Sequence, residues 1–254
     1  MTNLARILTA ALSISAIAVA VPATAKPAGA VKNIVLVHGA FADGSGWKAV
    51  CDILSRDGYR VSIGQPPETS LPEDVAATNR VLDAQDGPTV LVGHSYGGNI
   101  ITAAGNNSHV KNLVYVAAFQ PDTGESLASL GDSMPPASKA IRPSADGFLY
   151  LEPSLFHADF AADLPDDVAN VMAHSQVYVS VAAAKAPATS PAWKTKPSFA
   201  IVATMDRAIN PELERSMYKR SHSLTTEVVS SHAVYISHPE AVAAVVEQAA
   251  EASK

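Results

Sequence analysis

Residues 89–98, Thr-Val-Leu-Val-Gly-His-Ser-Tyr-Gly-Gly, carry the strongest structural signal in the chain. Four strand-forming residues lead into Gly93-His94-Ser95-Tyr96-Gly97, and a helical pattern follows over residues 96–104. A GxSxG motif between a strand and a helix predicts a sharp turn that holds the serine hydroxyl at the end of the strand. Glycine flanks such a turn because neighbouring backbone must pass closely. The motif therefore predicts that Ser95 is a nucleophile.

The rest of the chain alternates apolar strand patterns with helical patterns. Alternation of this kind predicts a parallel sheet covered by helices. The expected strands are residues 33–37, 59–63, 89–92, 112–116, 198–204 and 225–230, and the expected helices are residues 47–56, 72–84, 96–104, 211–219 and 238–250. The strands are mostly apolar, which suits burial on both faces. The predicted fold is α/β, with a mostly parallel central sheet and helices on both of its faces.

The alternation is interrupted between about residues 121 and 197, where Pro, Ala, Ser and Asp are frequent. We predict a small cap insertion over about residues 123–196, lying over one end of the sheet. A helical pattern over residues 166–179 and scattered aromatic side chains argue against a disordered linker. The aromatic candidates for the apolar wall of a substrate pocket are Phe41, which precedes the cap, and Phe148, Phe156, Phe160 and Tyr178. The alternative is that the cap aromatics form the cap's own core.

The first 25 residues have the composition of a secretory signal peptide. Arg6 is the only charged residue among them, an apolar run covers residues 7–21, and Ala23-Thr24-Ala25 ends the segment as a small-residue cleavage site. A membrane anchor is the alternative, but the run is shorter than the roughly 20 residues that a spanning helix needs. We therefore expect a signal peptide at residues 1–25, a single domain at residues 26–254, and an exported protein, periplasmic or secreted, without a stable membrane anchor.

Composition excludes several classes of function. The formal net charge is −6 and no long run of Lys or Arg occurs, so the chain lacks the basic surface of a nucleic-acid binder. Neither an HExxH motif nor paired His and Cys spacing is present, so no metal site is expected. The 254 residues are 48% hydrophobic, enough for one large core. A small molecule is the expected partner, and the sequence carries no sign of an oligomeric state.

The serine needs a histidine base, and the fold predicts the chain order Ser, acid, His. His38 and His94 precede Ser95 and are set aside for that reason. His232 follows the last predicted strand and precedes the last helix, which places it at the carboxyl edge of the sheet. We predict His232 as the base.

The carboxylate that orients the histidine is expected at the end of a neighbouring strand. Asp206 follows the strand predicted over residues 198–204, where ligands bind in open α/β sheets. Asp122 is the alternative, because it lies beyond the strand predicted over residues 112–116. Its surroundings, Pro121-Asp122-Thr123-Gly124, are more typical of a turn.

A tetrahedral intermediate also needs amide donors for its oxyanion. The residue after the nucleophile, Tyr96, is predicted to supply one amide, and Ala40 in the loop after the first strand to supply the other. Gly39 permits the sharp turn that points the Ala40 amide inward. Phe41 is the less favoured donor, and His38 is expected to support this loop through a hydrogen bond.

These segments together resemble the α/β hydrolase superfamily over residues 31–252. The resemblance is carried by Val35-Leu36-Val37-His38-Gly39, by Gly93 to Gly98, by Asp206 with Ile209-Asn210-Pro211, and by Ser231-His232. The start His38-Gly39-Ala40-Phe41 and the short cap resemble the branch of plant methyl-ester esterases, bacterial pyrethroid-type esterases and hydroxynitrile lyases. That resemblance implies an enzyme without cofactors that acts on small, largely apolar molecules.

The sequence thus predicts a carboxylic ester hydrolase that uses a Ser95-His232-Asp206 triad and an acyl-enzyme. The lyases of the branch carry a lysine directly after the catalytic histidine, whereas Ala233 follows His232 here, which favours hydrolysis. Two alternatives stay open. One is a non-hydrolytic, hydroxynitrile-lyase-like enzyme, and the other is a binding protein that keeps the pocket without turnover.

Overall fold

A six-stranded parallel sheet forms the centre of the computed structural model, which describes residues 31–252. The signal peptide expected at residues 1–25 lies outside the described residues. The strands of the sheet are β1 (Asn33–Val37), β2 (Arg60–Gly64), β3 (Thr89–Ser95), β4 (Val110–Ala118), β8 (Ser198–Ala203) and β9 (Leu224–Val228). They lie in the order β2-β1-β3-β4-β8-β9, and all five strand pairs are parallel.

Two apolar cores lie on opposite faces of this sheet because successive strand residues point to opposite sides. In β1, Val35 and Val37 join one core, whereas Ile34 and Leu36 join the other. Burial on both faces explains the near-continuous apolar runs of the central strands. The edge strand β9 differs, since residues 224–227 are exposed to solvent, and the expectation of two buried faces does not hold there.

Helices cover both faces of the sheet, and their buried apolar side chains complete the two cores. The helices of the main fold are α1 (Lys48–Arg56), α2 (Leu71–Asp83), α3 (Gly97–Ala104), α8 (Pro211–Arg220), α9 (Val234–Ser237) and α10 (Pro239–Glu251). Buried apolar side chains of α2, α3 and α8 belong to the core that contains Val35 and Val37. Those of α1 and α10 belong to the core that contains Ile34 and Leu36. The predicted α/β class, with helices on both faces of a parallel sheet, is therefore confirmed.

The segment between β4 and β8 folds as a cap with its own small sheet. Three strands, β5 (Ile141–Pro143), β6 (Phe148–Leu151) and β7 (Val179–Ser180), pair in antiparallel fashion. The cap helices are α4 (Leu127–Ser133), α5 (Pro153–Phe160), α6 (Asp166–His174) and α7 (Val181–Lys185).

The helix predicted over residues 166–179 ends earlier than its pattern suggested. The side chain of Gln176 accepts a hydrogen bond from the Leu151 amide at 2.8 Å and donates one to the Leu151 carbonyl at 2.9 Å. Val179 then pairs with Leu149 of β6. These contacts tie Gln176 and Val179 to β6, so α6 stops at His174.

Candidate active site

Ser95 lies on a strained turn at the carboxyl end of β3. Its φ angle is +55°, in the left-handed region that non-glycine residues seldom adopt. Strain of this kind costs roughly 1–3 kcal/mol and concentrates at functional sites. The turn between β3 and α3 is the nucleophile elbow that the GxSxG motif predicts. Ser95 keeps 7% of its surface exposed, at the wall of a cavity.

Three glycines let other backbone segments approach this elbow. A Cβ atom added to Gly39 would lie 2.6 Å from Cβ of Ser95 and 2.9 Å from the amide nitrogen of Tyr96. At Gly97 a Cβ would lie 2.7 Å from the His38 carbonyl oxygen, and at Gly98 it would overlap the carbonyl oxygen of Phe119. The elbow is thus closely packed between the loop after β1 and the end of β4.

Replacing Gly98 by alanine is expected to destabilise the fold, because the backbone carbonyl of Phe119 cannot rotate away as a side chain could. Overpacking of this kind costs about 1–3 kcal/mol or more. The matched control is Gly131→Ala in α4, where an added Cβ meets nothing within 4 Å. That variant should be neutral or up to about 1 kcal/mol more stable. Urea unfolding midpoints give the comparison, and equal midpoints for the two variants would contradict it.

Asp206 and His232 form a close buried pair beside the elbow. Asp206 follows β8, and its Oδ2 lies 2.5 Å from Nδ1 of His232. The other oxygen, Oδ1, accepts hydrogen bonds from the amides of Ala208 at 2.7 Å and Ile209 at 2.9 Å. Both side chains of the pair are almost fully buried. The carboxylate is therefore held in place by its own loop, and it fixes the proton on Nδ1 and leaves Nε2 as the acceptor.

Asp122, the alternative acid, lies in a different environment. Its carboxylate forms an ion pair with Lys194 and accepts a hydrogen bond from the Thr123 amide at 2.5 Å. These are the contacts of a turn aspartate with a surface partner. The geometry thus brings Asp206, and not Asp122, to His232.

The loop after β1 faces the elbow and contains the predicted oxyanion donor. Ala40 and Ser95 both line the cavity, and Phe41 has a φ angle of +65°. The amide of Phe41 donates a hydrogen bond to the Val177 carbonyl of the cap at 2.9 Å, so this donor is already engaged. The geometry is consistent with the Ala40 amide acting with the amide of Tyr96.

His38 is buried behind this loop. Its Nδ1 lies 3.1 Å from the carbonyl oxygen of Gly39 and 3.4 Å from a carboxylate oxygen of Glu68. Burial raises the pKa of Glu68 to about 7, against the opposing effect of His38. His38 is expected from the sequence to support this loop. Glu68, which the sequence did not indicate, lies beside it as a second buried group.

His94, within the GxSxG motif, is a residue whose role the sequence did not indicate. It is fully buried, and its Nε2 lies 3.0 Å from the backbone carbonyl of His232. Burial, reinforced by nearby His232, holds the pKa of His94 well below its usual range. The neutral ring therefore donates Nε2–H to that carbonyl, and the ring centroids of His94 and His232 lie 4.6 Å apart. His94 thereby connects the elbow to the loop that carries His232.

The sequence also gives no role to two carboxyl groups beside the pair, one buried and one on the surface of the cap. Glu214 of α8 is fully buried and accepts a hydrogen bond from the Ala203 amide at 3.3 Å. Burial, reinforced by neighbouring Asp206, raises the pKa of Glu214 well above its usual range. Asp163 of the cap accepts a hydrogen bond from the Ser231 amide at 3.0 Å. A signal for Glu214 existed, because it falls on the buried face of α8 beside Leu213 and Met217.

A largely apolar cavity lies over Ser95 and His232. Concave, mostly apolar clefts with a few polar groups are typical of small-molecule sites. Residues of the main fold and of the cap share the wall: Ala40, Phe41, Ser95, Phe119, Leu127, Ser138, Ile141, Leu149, Leu151, Phe160, Val179, Ala208, Ile209 and His232. The hydroxyl of Ser138 is turned to Asp159 at 2.7 Å, so most of the wall offers no polar partner.

Of the five aromatic residues predicted for the wall, the structure places Phe41 and Phe160 there. Phe160 also packs edge-on against the ring of His232, at 4.7 Å between centroids. The other three are not among the residues that line the cavity. Phe156 is fully buried and stacks on Phe160 in the core of the cap, whereas Tyr178 is 44% exposed and stacks on Tyr150.

Phe148, the third of these, begins β6 and pairs with Ser180, while its neighbours Leu149 and Leu151 reach the cavity. The physical reason is the alternation of a strand, in which adjacent side chains point to opposite faces. In β6 and α5, the residues that line the wall are Leu149, Leu151 and Phe160, and not the predicted Phe148 and Phe156.

Across residues 31–252, no three His, Cys, Asp or Glu side chains are grouped so as to bind a metal ion. None of the helices in that range combines the length and apolar character that crossing a bilayer requires.

The fold and the elbow define a hydrolase-type site: a parallel α/β sheet with a strained serine after one strand and a paired aspartate and histidine after two others. The sequence profile described as the alpha/beta hydrolase family matches residues 34–245. The chain belongs to that family, as the resemblance in its motifs predicted.

One curated relative and several solved structures are similar to the chain. The "Carbendazim hydrolyzing esterase" of Nocardioides sp. (strain SG-4G) is 30% identical over 164 residues, which is 58% of this chain and 66% of that protein. The match thus spans just under two thirds of the relative. A pyrethroid hydrolase from Sphingobium faniae JZ-2 is 22% identical with a TM-score of 0.75, covering 87% of this chain and 98% of the other. Polyneuridine aldehyde esterase is 16% identical with a TM-score of 0.74, covering 86% and 98%. The two structures establish likeness of fold.

Proposed function

We propose that the chain is a serine hydrolase that cleaves carboxylic esters of small, largely apolar substrates. The observation that carries this proposal is the convergence of Ser95, His232 and Ala40 on one apolar cavity, with Asp206 bonded to His232 at 2.5 Å. The names of the curated relative and of the pyrethroid hydrolase support hydrolytic chemistry.

In the proposed reaction, Oγ of Ser95 attacks the ester carbonyl while Nε2 of His232 takes the serine proton. Asp206 stabilises the imidazolium that results. The amides of Ala40 and Tyr96 donate to the oxyanion of the tetrahedral intermediate. His232 then returns the proton to the departing alcohol, and an acyl-enzyme remains on Ser95.

Water completes the cycle by the same steps. His232 removes a proton from water, the hydroxide attacks the acyl carbon, and Ser95 leaves with the proton from His232. The carboxylic acid is released and the free serine is restored. The reaction needs no cofactor, because nucleophile, base and oxyanion donors all come from the chain.

The wall of the cavity supports a preference for compact apolar esters. An apolar pocket with few polar groups binds substrate mainly through removal of apolar surface from water. Leu149, Leu151 and Phe160 come from the cap and enclose the space over Ser95. Long acyl chains would have to leave this enclosed volume.

The test is a series of p-nitrophenyl esters with butyrate, octanoate and palmitate as the acyl group. We expect kcat/KM to be highest for butyrate or octanoate and to fall steeply for palmitate, because cap residues Leu149, Leu151 and Phe160 enclose the space over Ser95. A steady rise to palmitate would contradict the proposed pocket, and no hydrolysis of any ester would contradict the proposed activity.

A pair of matched variants tests whether this cavity sets the preference. Leu149→Trp fills the wall and should lower kcat/KM for octanoate more than for butyrate. Leu155→Trp makes the same change on α5, where the side chain is 38% exposed and outside the described lining. The control should keep the wild-type ratio between the two esters.

A further inference from the structure

A set of buried polar groups lies between the two backbone amides assigned to the oxyanion, with hydrogen bonds from Tyr96 through Asp74 to Glu68 and a 3.4 Å contact from Glu68 to His38. The amides belong to Ala40 after β1 and Tyr96 after β3, which are far apart in the chain. The connection runs through side chains on two other segments, the loop before α2 and α2 itself.

At one end of the set is the side chain of Tyr96. Its hydroxyl donates a hydrogen bond to Oδ2 of Asp74 on α2 at 2.6 Å, and both residues are fully buried. Burial, reinforced by the Asp74 carboxylate, raises the pKa of the Tyr96 hydroxyl, so it keeps its proton and is the donor. The hydrogen bond to Asp74 thus holds the side chain of Tyr96, whose backbone amide is one of the two assigned to the oxyanion.

Asp74 continues the set toward the other amide. Its second oxygen, Oδ1, accepts a hydrogen bond from the Glu68 amide at 2.6 Å. Glu68 is fully buried with a φ angle of +59°, and its carboxylate lies 3.4 Å from Nδ1 of His38. The strained backbone of Glu68 is therefore held by Asp74 in the position that brings its carboxylate to His38.

At the far end, His38 acts on the peptide group that contains the second amide. Its Nδ1 lies 3.1 Å from the carbonyl oxygen of Gly39. That carbonyl and the amide of Ala40 belong to one planar peptide unit, in which C=O and N–H point in opposite directions. Holding the carbonyl toward His38 therefore aims the Ala40 N–H away from it.

We propose that Asp74 is a positioning residue for the oxyanion hole, acting on the Tyr96 amide through the Tyr96 side chain and on the Ala40 amide through Glu68 and His38. Asp74 lies on a helix and is not among the residues that line the cavity. Its effect on turnover would be to keep two donors in the geometry that the transition state requires. The inference rests on the ester-hydrolase function proposed above.

The test uses Tyr96→Phe, which removes one hydroxyl and leaves the backbone amide in place. Because loss of an oxyanion donor or a displacement of about 1 Å costs roughly 10²-fold or more, loosening one donor should lower kcat about tenfold. KM should stay within about twofold, since ground-state binding comes from the apolar wall. Affinity for a trifluoromethyl ketone, whose adduct with Ser95 carries the oxyanion, should fall by the same factor as kcat.

Tyr115→Phe is the matched control. Tyr115 in β4 is also fully buried, and its hydroxyl lies 3.0 Å from Oγ1 of Thr102. Both variants lose a buried hydroxyl and its hydrogen bond, so both should lose stability, but only Tyr96→Phe should lose kcat and inhibitor affinity. If the two variants have equal kcat, the proposed positioning role of Asp74 is overturned.

Asp74→Ala breaks both arms of the set and should lower kcat at least as much as Tyr96→Phe. The double variant should be no slower than Asp74→Ala, since the Tyr96 arm is already lost. Additive losses would overturn the inference, and if Asp74→Ala does not fold, the two tyrosine variants decide it. Failure of the proposed function has a different signature, because wild-type protein would then hydrolyse no ester or Ser95→Ala would remain active.

Discussion

Ser95→Ala is expected to lower ester hydrolysis by about 10⁴- to 10⁶-fold while the protein stays folded. The substitution removes the nucleophilic oxygen and leaves the elbow packed against Gly39. Alanine tolerates the φ angle of +55° no better than serine, so the fold should not gain or lose much from the change. Measurements are kcat/KM on p-nitrophenyl butyrate and covalent labelling by a fluorophosphonate.

The control for this prediction is Ser154→Ala, a solvent-exposed serine on the cap helix α5. It should keep wild-type turnover and wild-type labelling. If Ser95→Ala retained more than roughly a tenth of the wild-type activity, which is far above the residual activity expected, the nucleophile would have to be another residue.

Asp206→Asn is expected to lower kcat by about 10⁴-fold with little change in stability. The asparagine oxygen can still accept the amides of Ala208 and Ile209. Its NH₂ group, however, would face Nδ1 of His232, which favours the tautomer with the proton on Nε2. That tautomer cannot take the proton of Ser95, and the imidazolium loses its counter-charge.

Asp122→Asn provides the comparison at the alternative acid. Its partner Lys194 is 44% exposed, and partly exposed ion pairs contribute little, so turnover should stay within about threefold of wild type. The pH dependence of kcat/KM for both variants distinguishes a change of tautomer from a loss of folded protein. A larger loss in Asp122→Asn than in Asp206→Asn would place the acid after β4.

The main fold and the positions of Ser95, Asp206 and His232 could be predicted because local pattern and topology determine them. The sequence predicts a strand over residues 33–37, with the bounds that the structure has, since an apolar run ends there at a glycine turn. The carboxyl ends of parallel strands meet at one edge, so residues after β3 and β8 had to lie near each other.

The cap could not be predicted to the same degree, because its elements depend on contacts between distant residues. The end of α6 is set by the contact of Gln176 with Leu151, which the helical pattern of residues 166–179 does not contain. The same is true of the groups that support the site. His94 contacts a carbonyl 138 residues away, and Tyr96 meets Asp74 across 22 residues on another helix.

Hydrogen bonds join the cap to the two loops that carry Ala40 and His232. The Val177 carbonyl holds the amide of Phe41, and the Phe160 carbonyl accepts the amide of Ala233, next to the histidine. Asp163 holds the Ser231 amide on the other side of that histidine. A change in the cap backbone that reshapes the wall would therefore also shift the loops that carry Ala40 and His232. New substrate ranges are accordingly more accessible through side-chain exchanges on a fixed cap than through replacement of the cap as a unit.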